Sequence, residues 1–383
     1  MSQNAFRPLR FQASLDGVRA IAMLMMLSVH CALLTPTGFW SGLINQLVSP
    51  LWFCMDIFFV LSGYLITRIL LGTDGQAYQY RNYFARRALR IVPAYLVALL
   101  MIFFLVPHFV APAEAIHPDE RWYYVAYLQN WLYIDQYRLF RGADHLWSVA
   151  VEEQFYLVWA LLLMVTPRRW FSALCLAAIG MAITLKFAGV LLDLPGIFLY
   201  WASPTRFDAF ALGALIGWRR ALGLGGLAPR VSYGIMMLAL AVIALQKLFW
   251  PSWLTVSSAV LATTTAGSLF GAAWIDRLTQ DQDRGLRHAW LETQFFQWLA
   301  NRSYAIYLTH YPLFPVVASG MALAVPQLRP GGNVHHLVNG VLAVALSVAL
   351  SELMYRYLER PALSLKRYFQ ERPAGAAAGL KAA

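Results

Sequence analysis

Charge is scarce in this chain. Only 13% of its 383 residues are Asp, Glu, Lys or Arg, while 60% are hydrophobic. An ordinary soluble domain carries about 25% charged residues, so a water-soluble globule is a poor expectation. Cysteine is scarce too. Cys31, Cys54 and Cys175 all fall inside apolar stretches, and an odd number of embedded thiols argues against a disulfide framework. The sequence has no Gly-x-Ser-x-Gly and no Walker loop, which argues against a serine hydrolase of the nucleophile-elbow type and a phosphate-loop nucleotidase. Its histidines (30, 108, 117, 145, 288, 310, 335 and 336) include no pair at i, i+3 or i, i+4, so a helical metal site is not expected.

Long apolar runs are abundant instead. Ten approach the ~20 residues that span a hydrocarbon core: 17–36, 50–70, 88–107, 146–166, 170–191, 203–219, 231–250, 252–273, 297–323 and 334–357. The sixth is the weakest, because Arg206 and Asp208 lie near its start. Basic residues alternate with these runs. One set of connections holds Arg7, Arg10, Arg68, Arg81, Arg86, Arg87, Arg90, Arg168, Arg169, Arg219, Arg220, Arg230, Arg277, Arg284 and Arg287, followed by Arg360, Lys366, Arg367 and Arg372. The other set holds only Arg121, Arg138, Arg141 and Arg329. The alternation predicts an all-α, polytopic membrane bundle of about ten helices with both termini in the cytoplasm. The net charge of +11 then reflects topology, and its dispersal over several loops argues against a nucleic-acid partner.

One membrane domain is expected over 1–368, with an Ala/Gly-rich disordered cytoplasmic tail at 369–383. The basic, then apolar N-terminus lacks a clear cleavage site and reads as a retained first helix. The segment 108–145 carries Trp122, Tyr123, Tyr124, Tyr127, Trp131, Tyr133 and Tyr137. Two readings fit it, an interfacial aromatic belt and a sugar-stacking lid. No internal repeat is visible, which weakens an inverted-repeat transporter.

Ionisable residues inside such helices are costly and usually functional. Arg19 and His30 are eleven residues apart, so they share one helix face about 16 Å apart along the axis. Asp16 falls on nearly the same face. The topology places Asp56 at the depth of His30, on the next antiparallel helix. A carboxylate there would fix the imidazole tautomer, as a general base requires. Glu152 is the second candidate for that role. Arg206 and Asp208 are expected near the outer surface, and His310 near mid-membrane. Arg87 and Arg90 share a face beside Arg86 and suit a phosphate-bearing donor such as coenzyme A. Buried pairs that only hold helices together, and arginines that serve topology or anionic lipid contact, are the plain alternatives.

These residues fall in motifs similar to those of the acyltransferase-3 family of integral membrane O-acyltransferases. Arg19 through His30 resembles the family's arginine–ten residues–histidine signature. Asp56-Ile57-Phe58-Phe59-Val60-Leu61-Ser62-Gly63-Tyr64 resembles its second-helix motif, and Arg87-Ala88-Leu89-Arg90 its arginine pair. His145-Leu146-Trp147-Ser148 through Glu152-Glu153-Gln154-Phe155-Tyr156 looks like its Trp-Ser…Glu-Glu-Gln-Phe-Tyr motif. Ser303-Tyr304 through His310, and Glu359-Arg360-Pro361, are also similar to family patterns.

The resemblance implies a ten-helix domain in the bacterial inner membrane. It implies acetyl-CoA, or another acyl-CoA, as cytoplasmic donor and a hydroxyl acceptor on a carbohydrate, glycolipid or other molecule. His30 would be the essential histidine, acting as general base or transient acyl carrier, with Arg19 as its signature partner. Arg86, Arg87 and Arg90 would hold the donor. Trp147, Arg206 and His310 are the candidates for holding the acceptor, and Ser62 for packing or the donor channel. Some members continue into a C-terminal hydrolase-like domain, which this sequence does not contain. The competing expectations are a proton-coupled transporter, which the intramembrane His, Asp and Glu would also suit, and a non-catalytic scaffold.

Overall fold

The computed structural model describes residues 12–32, 39–71, 77–138, 140–248, 256–325, 327 and 332–369. The tail expected at 369–383 lies outside them except for Phe369. No strand occurs among the described residues, and the chain is built from helices throughout.

The first span is α1 (Ala13–Ala32). Next, α2 (Phe39–Val48) runs through a 3-10 turn at Ser49–Phe53 into α3 (Cys54–Leu71), making one kinked span. Pro50 opens that turn, where a missing backbone N–H costs least. α4 (Ala77–Leu100) continues through a π-helical turn at Met101–Leu105. The short helices α5 (Arg121–Val125) and α6 (Gln129–Gln136) follow, then α7 (Trp147–Val165), α8 (Phe171–Leu191) and α9 (Gly196–Trp201). The remainder comprises α10 (Ser203–Ala221), α11 (Pro229–Leu248), α12 (Val256–Asp283), α13 (Gln294–Ala324), α14 (Asn333–Met354) and α15 (Arg360–Ser364).

Nine helical segments among the described residues are long and apolar enough to cross a membrane, so the chain is an integral membrane protein. The sequence predicts ten. The difference is α10, whose Arg206, Asp208, Arg219 and Arg220 dilute its apolar character. α10 is nevertheless long and heavily buried, with both Arg206 and Asp208 inside the bundle. Arg206, Asp208 and Arg220 face protein rather than lipid, which is where a membrane protein can hold them, and Arg219 is exposed in the last turn.

Small residues let α10 sit against α3. A Cβ on Gly213 would run into the Val60 carbonyl, and one on Gly63 into the Phe210 carbonyl. Gly213 and Gly217 form the small-x-x-x-small spacing that brings helix backbones together in membranes. The obstructing atoms are backbone and cannot swing aside. Gly213→Ile is therefore expected to destabilise the bundle by at least the ~1–3 kcal/mol of an overpacked core. Thermal unfolding of the detergent-solubilised protein checks this, and an unchanged melting temperature would refute the tight α3–α10 contact.

The aromatic segment around α5 and α6 is neither a plain belt nor a detached lid. Tyr124 and Tyr133 are fully buried. The Tyr133 hydroxyl donates to the Ala143 carbonyl (2.8 Å), which leaves its oxygen to accept from the Tyr124 hydroxyl (3.0 Å). Tyr95 of α4 donates to the Tyr124 carbonyl (2.8 Å), and Gln129 to that of Leu146 (2.8 Å). Burial pushes the Tyr124 and Tyr133 phenols well above the ordinary tyrosine range, so both stay neutral donors. The segment is a packed cap that holds the start of α7 in place.

Candidate active site

Two sizeable cavities lie inside the helical bundle. The first, of about 350 Å³, is lined by Arg19 of α1, Arg86, Arg87 and Arg90 of α4, and Lys366 near the C-terminal end of the described chain. Helical spacing explains the arginines: Arg86 and Arg90 are one turn apart, with Arg87 beside them. Arg19 pairs with Asp16 on its own helix at 2.6 Å, as their shared face requires. Arg87 reaches Glu153 of α7 at 3.0 Å, and its guanidinium lies over the Tyr156 ring. The neighbouring Glu152 accepts from the hydroxyls of Ser62 and Tyr156.

Neutral polar groups in the same cavity escape a sequence reading. Asn82, Tyr83 and Tyr304 all line it. The Asn82 carboxamide and the Tyr304 hydroxyl are buried, and neither has a hydrogen-bond partner. An unsatisfied buried polar atom costs about 1–3 kcal/mol, so such groups are rare without a reason. Amides and phenols in an apolar run carry no charge signal, which is why spacing and composition pass over them.

The second cavity, of about 470 Å³, is walled by Trp52, Trp147, Tyr200, Trp201 and Tyr311, with Asp144, His145 and Lys247 among them. Between the two lies a neck of only about 20 Å³. Met55 and Tyr307 line both the neck and the arginine cavity. His30, Trp52, His145 and Trp147 line both the neck and the aromatic cavity. The three spaces are thus continuous in their walls, and His30 stands at the junction.

The tautomer of His30 follows from its partners. Nδ1 of His310 faces the carbonyls of Tyr307 (2.7 Å) and Ile306 (3.1 Å). A carbonyl only accepts, so this nitrogen carries the proton, and in the neutral ring Nε2 is an acceptor. His30 Nδ1 lies 3.0 Å from that Nε2 and must donate to it. The lone pair of His30 then sits on its own Nε2. The rings are stacked with centroids 5.1 Å apart, and Trp52 and Tyr311 pack edge-on against His30. A hydrogen-bonded imidazole with one free lone pair, in the wall of the neck and of the aromatic cavity, is equipped to take a proton.

Several expected partnerships differ. Neither carboxylate expected to orient His30 is hydrogen-bonded to it. Asp56 instead binds Arg206 (2.6 Å) and Ser268 (3.3 Å), and Glu152 is held by Ser62 and Tyr156. Depth alone cannot tell which way a side chain points around its helix. His310, expected to hold an acceptor, is fully buried and is itself the partner of His30. Arg206, expected near the outer surface with the same duty, is fully buried and pairs with Asp56. Beside that pair, Lys186 binds Asp208 at 2.6 Å. Trp147 does line the aromatic cavity. Among the described residues, no group of three His, Cys, Asp or Glu is placed to hold a metal ion.

Comparison with known proteins places the chain in a family. The family model for the acyltransferase-3 type of acyltransferase domain matches residues 12–356. Over 372 residues the chain is 26% identical to the peptidoglycan O-acetyltransferase OatA of Listeria monocytogenes, covering 92% of this chain and 56% of that protein. Over 378 residues it is 29% identical to YrhL of Bacillus subtilis, provisionally named a peptidoglycan O-acetyltransferase, covering 92% and 55%. A Staphylococcus aureus protein provisionally named an O-acetyltransferase is 24% identical over 387 residues, covering 93% and 58%. The chain thus spans little more than half the length of the curated relatives it matches. No solved structure matches. With the family model covering nearly all of its helices, the chain belongs to the acyltransferase-3 family of membrane proteins.

Proposed function

We propose that this chain moves an acetyl group from acyl-CoA to a hydroxyl on a glycan, and that the two substrates approach His30 from opposite cavities. The observation that carries this is the neck: His30 lines it and the aromatic cavity, and Met55 and Tyr307 join its wall to the arginine-lined cavity. Arg86, Arg87, Arg90 and Lys366 supply the positive charge that the phosphates of coenzyme A require. The distribution of basic residues along the chain supports placing that end in the cytoplasm, where acyl-CoA is made. The aromatic walls of the second cavity, with Asp144 and Lys247 among them, suit a ring bearing hydroxyls, which needs both apolar faces and polar edges. The names of the relatives point to peptidoglycan as the glycan.

In this reading the thioester reaches the neck from the arginine side. His30 Nε2 takes the proton of the acceptor hydroxyl as its oxygen attacks the thioester carbon. The C–S bond then breaks, and the coenzyme leaves as its thiol. The proton displaced onto His30 is available to the departing sulfur, so charge balances within the site.

The test is release of free coenzyme A thiol from acetyl-CoA by the purified, detergent-solubilised protein, with soluble peptidoglycan fragments as acceptor. Release that depends on acceptor is the expected result. Arg87→Ala combined with Arg90→Ala should raise KM for acetyl-CoA about tenfold or more, since charge-assisted hydrogen bonds are each worth about 1.5–3 kcal/mol. Failure to bind acetyl-CoA, together with a proton flux across proteoliposomes, would replace this reading with the transporter.

A further inference from the structure

We propose that Asn82 reads the adenine base of the acyl donor, an inference that rests on the donor reading above. Asn82 is 2% exposed, lines the arginine cavity, and leaves both its amide nitrogen and its amide oxygen without a hydrogen-bond partner. It precedes Arg86 by four residues and Arg90 by eight, so all three form one stripe on α4, with Asn82 about 6 and 12 Å from the other two along the axis.

The direction of that stripe selects the ligand group. Along α4 and the π-helical turn that continues it, the chain climbs from Asn82 past the arginines to Val106, which packs against Gly142 close to Pro312, two residues beyond His310. Asn82 therefore lies on the far side of the arginines from His30. Coenzyme A has a fixed order: thioester, pantetheine arm, diphosphate, ribose, adenine. With the thioester at His30 and the phosphates on the arginines, the part that extends beyond the arginines is the nucleoside. A carboxamide with one free donor and one free acceptor matches the N6 amino group and the adjacent ring nitrogen of adenine, a pairing Asn makes in two hydrogen bonds. The other neutral possibility, an amide of the pantetheine arm, lies on the His30 side of the phosphates.

The test compares binding of coenzyme A, 1,N6-etheno-coenzyme A and 4′-phosphopantetheine to the purified full chain, for wild type and Asn82→Leu. The etheno bridge joins N6 to N1 and removes the N6 hydrogen, which breaks the two-bond N6/N7 pair while leaving the phosphates and arm intact. Wild type is expected to bind coenzyme A about tenfold more tightly than the etheno form, the discrimination of one bidentate pair. Asn82→Leu should bind the two alike, at the wild-type etheno level, and should bind 4′-phosphopantetheine as wild type does. A wild type that binds both coenzymes equally overturns the proposal without any variant having to fold. So does an Asn82→Leu loss that is the same for all three probes, which marks a structural residue, or one seen with 4′-phosphopantetheine, which places Asn82 on the arm. A wild type that binds neither coenzyme overturns the donor reading along with it.

Discussion

His30→Ala is expected to lower acetyl transfer by about 10²–10⁴-fold, the usual contribution of a positioned general base, while leaving acetyl-CoA binding near its wild-type value. The split follows from placement. His30 lines the neck and the aromatic cavity but not the arginine cavity, so its loss removes the proton acceptor and none of the donor's charged contacts. His310→Phe is expected to cost less, about 10–100-fold, the range found when the partner that orients a ligating histidine is removed. Without the Nε2 of His310 to accept its proton, the His30 ring can rotate or adopt the other tautomer. The measurement is kcat and KM for acetyl-CoA at saturating acceptor. An unchanged kcat in His30→Ala would remove the histidine from the chemistry. A His310→Phe variant as impaired as His30→Ala would give the two rings equal parts in it.

The second large effect concerns the buried charges of α3, α8 and α10. Arg206→Met is expected to destabilise the protein by about 3–5 kcal/mol, because it strands a buried carboxylate. Asp56 and Arg206 are 1% and 0% exposed, and the neighbouring pair of Lys186 and Asp208 is equally enclosed. The double variant Asp56→Leu with Arg206→Met should recover most of that loss, since replacing both members of a buried pair with apolar groups is often close to neutral. Thermal unfolding in detergent measures the cycle. The same double variant also decides what Asp56 does. Acetyl transfer should return with the fold, because the hydrogen bonds of Asp56 go to Arg206 and Ser268 and none goes to His30. A double variant that is stable but inactive would restore Asp56 to the catalytic machinery.

Asp56 shows what kind of information was missing from the chain as text. Its depth is legible: counting residues along α1 and α3 puts it level with His30. The angle around the helix is not legible in the same way, because the mostly apolar α3 offers no single polar face to orient it. The partner of Asp56 comes from α10, 150 residues away, and only the packing of α10 against α3 through Gly63 and Gly213 brings Arg206 there. α10 itself was the weakest of the expected spans for the same reason. Its charges lower its hydropathy, and the sequence does not say that they will be neutralised inside the bundle.

What the sequence determined by itself is the local and the repetitive. Apolar runs of membrane length dictate helices, because a backbone in hydrocarbon must satisfy its own hydrogen bonds. The 3.6-residue period puts Arg19 with Asp16, and Arg86 with Arg90, before any packing is known. Tertiary structure alone decided the pairings between distant helices: His30 with His310, 280 residues on, Asp56 with Arg206, and the two cavities on either side of the neck that His30 lines. The physical reason is that helix formation is a property of neighbours along the chain. The facing of one helix toward another is set by the shape and charge of both, and by close approaches such as that of Gly213 to Val60.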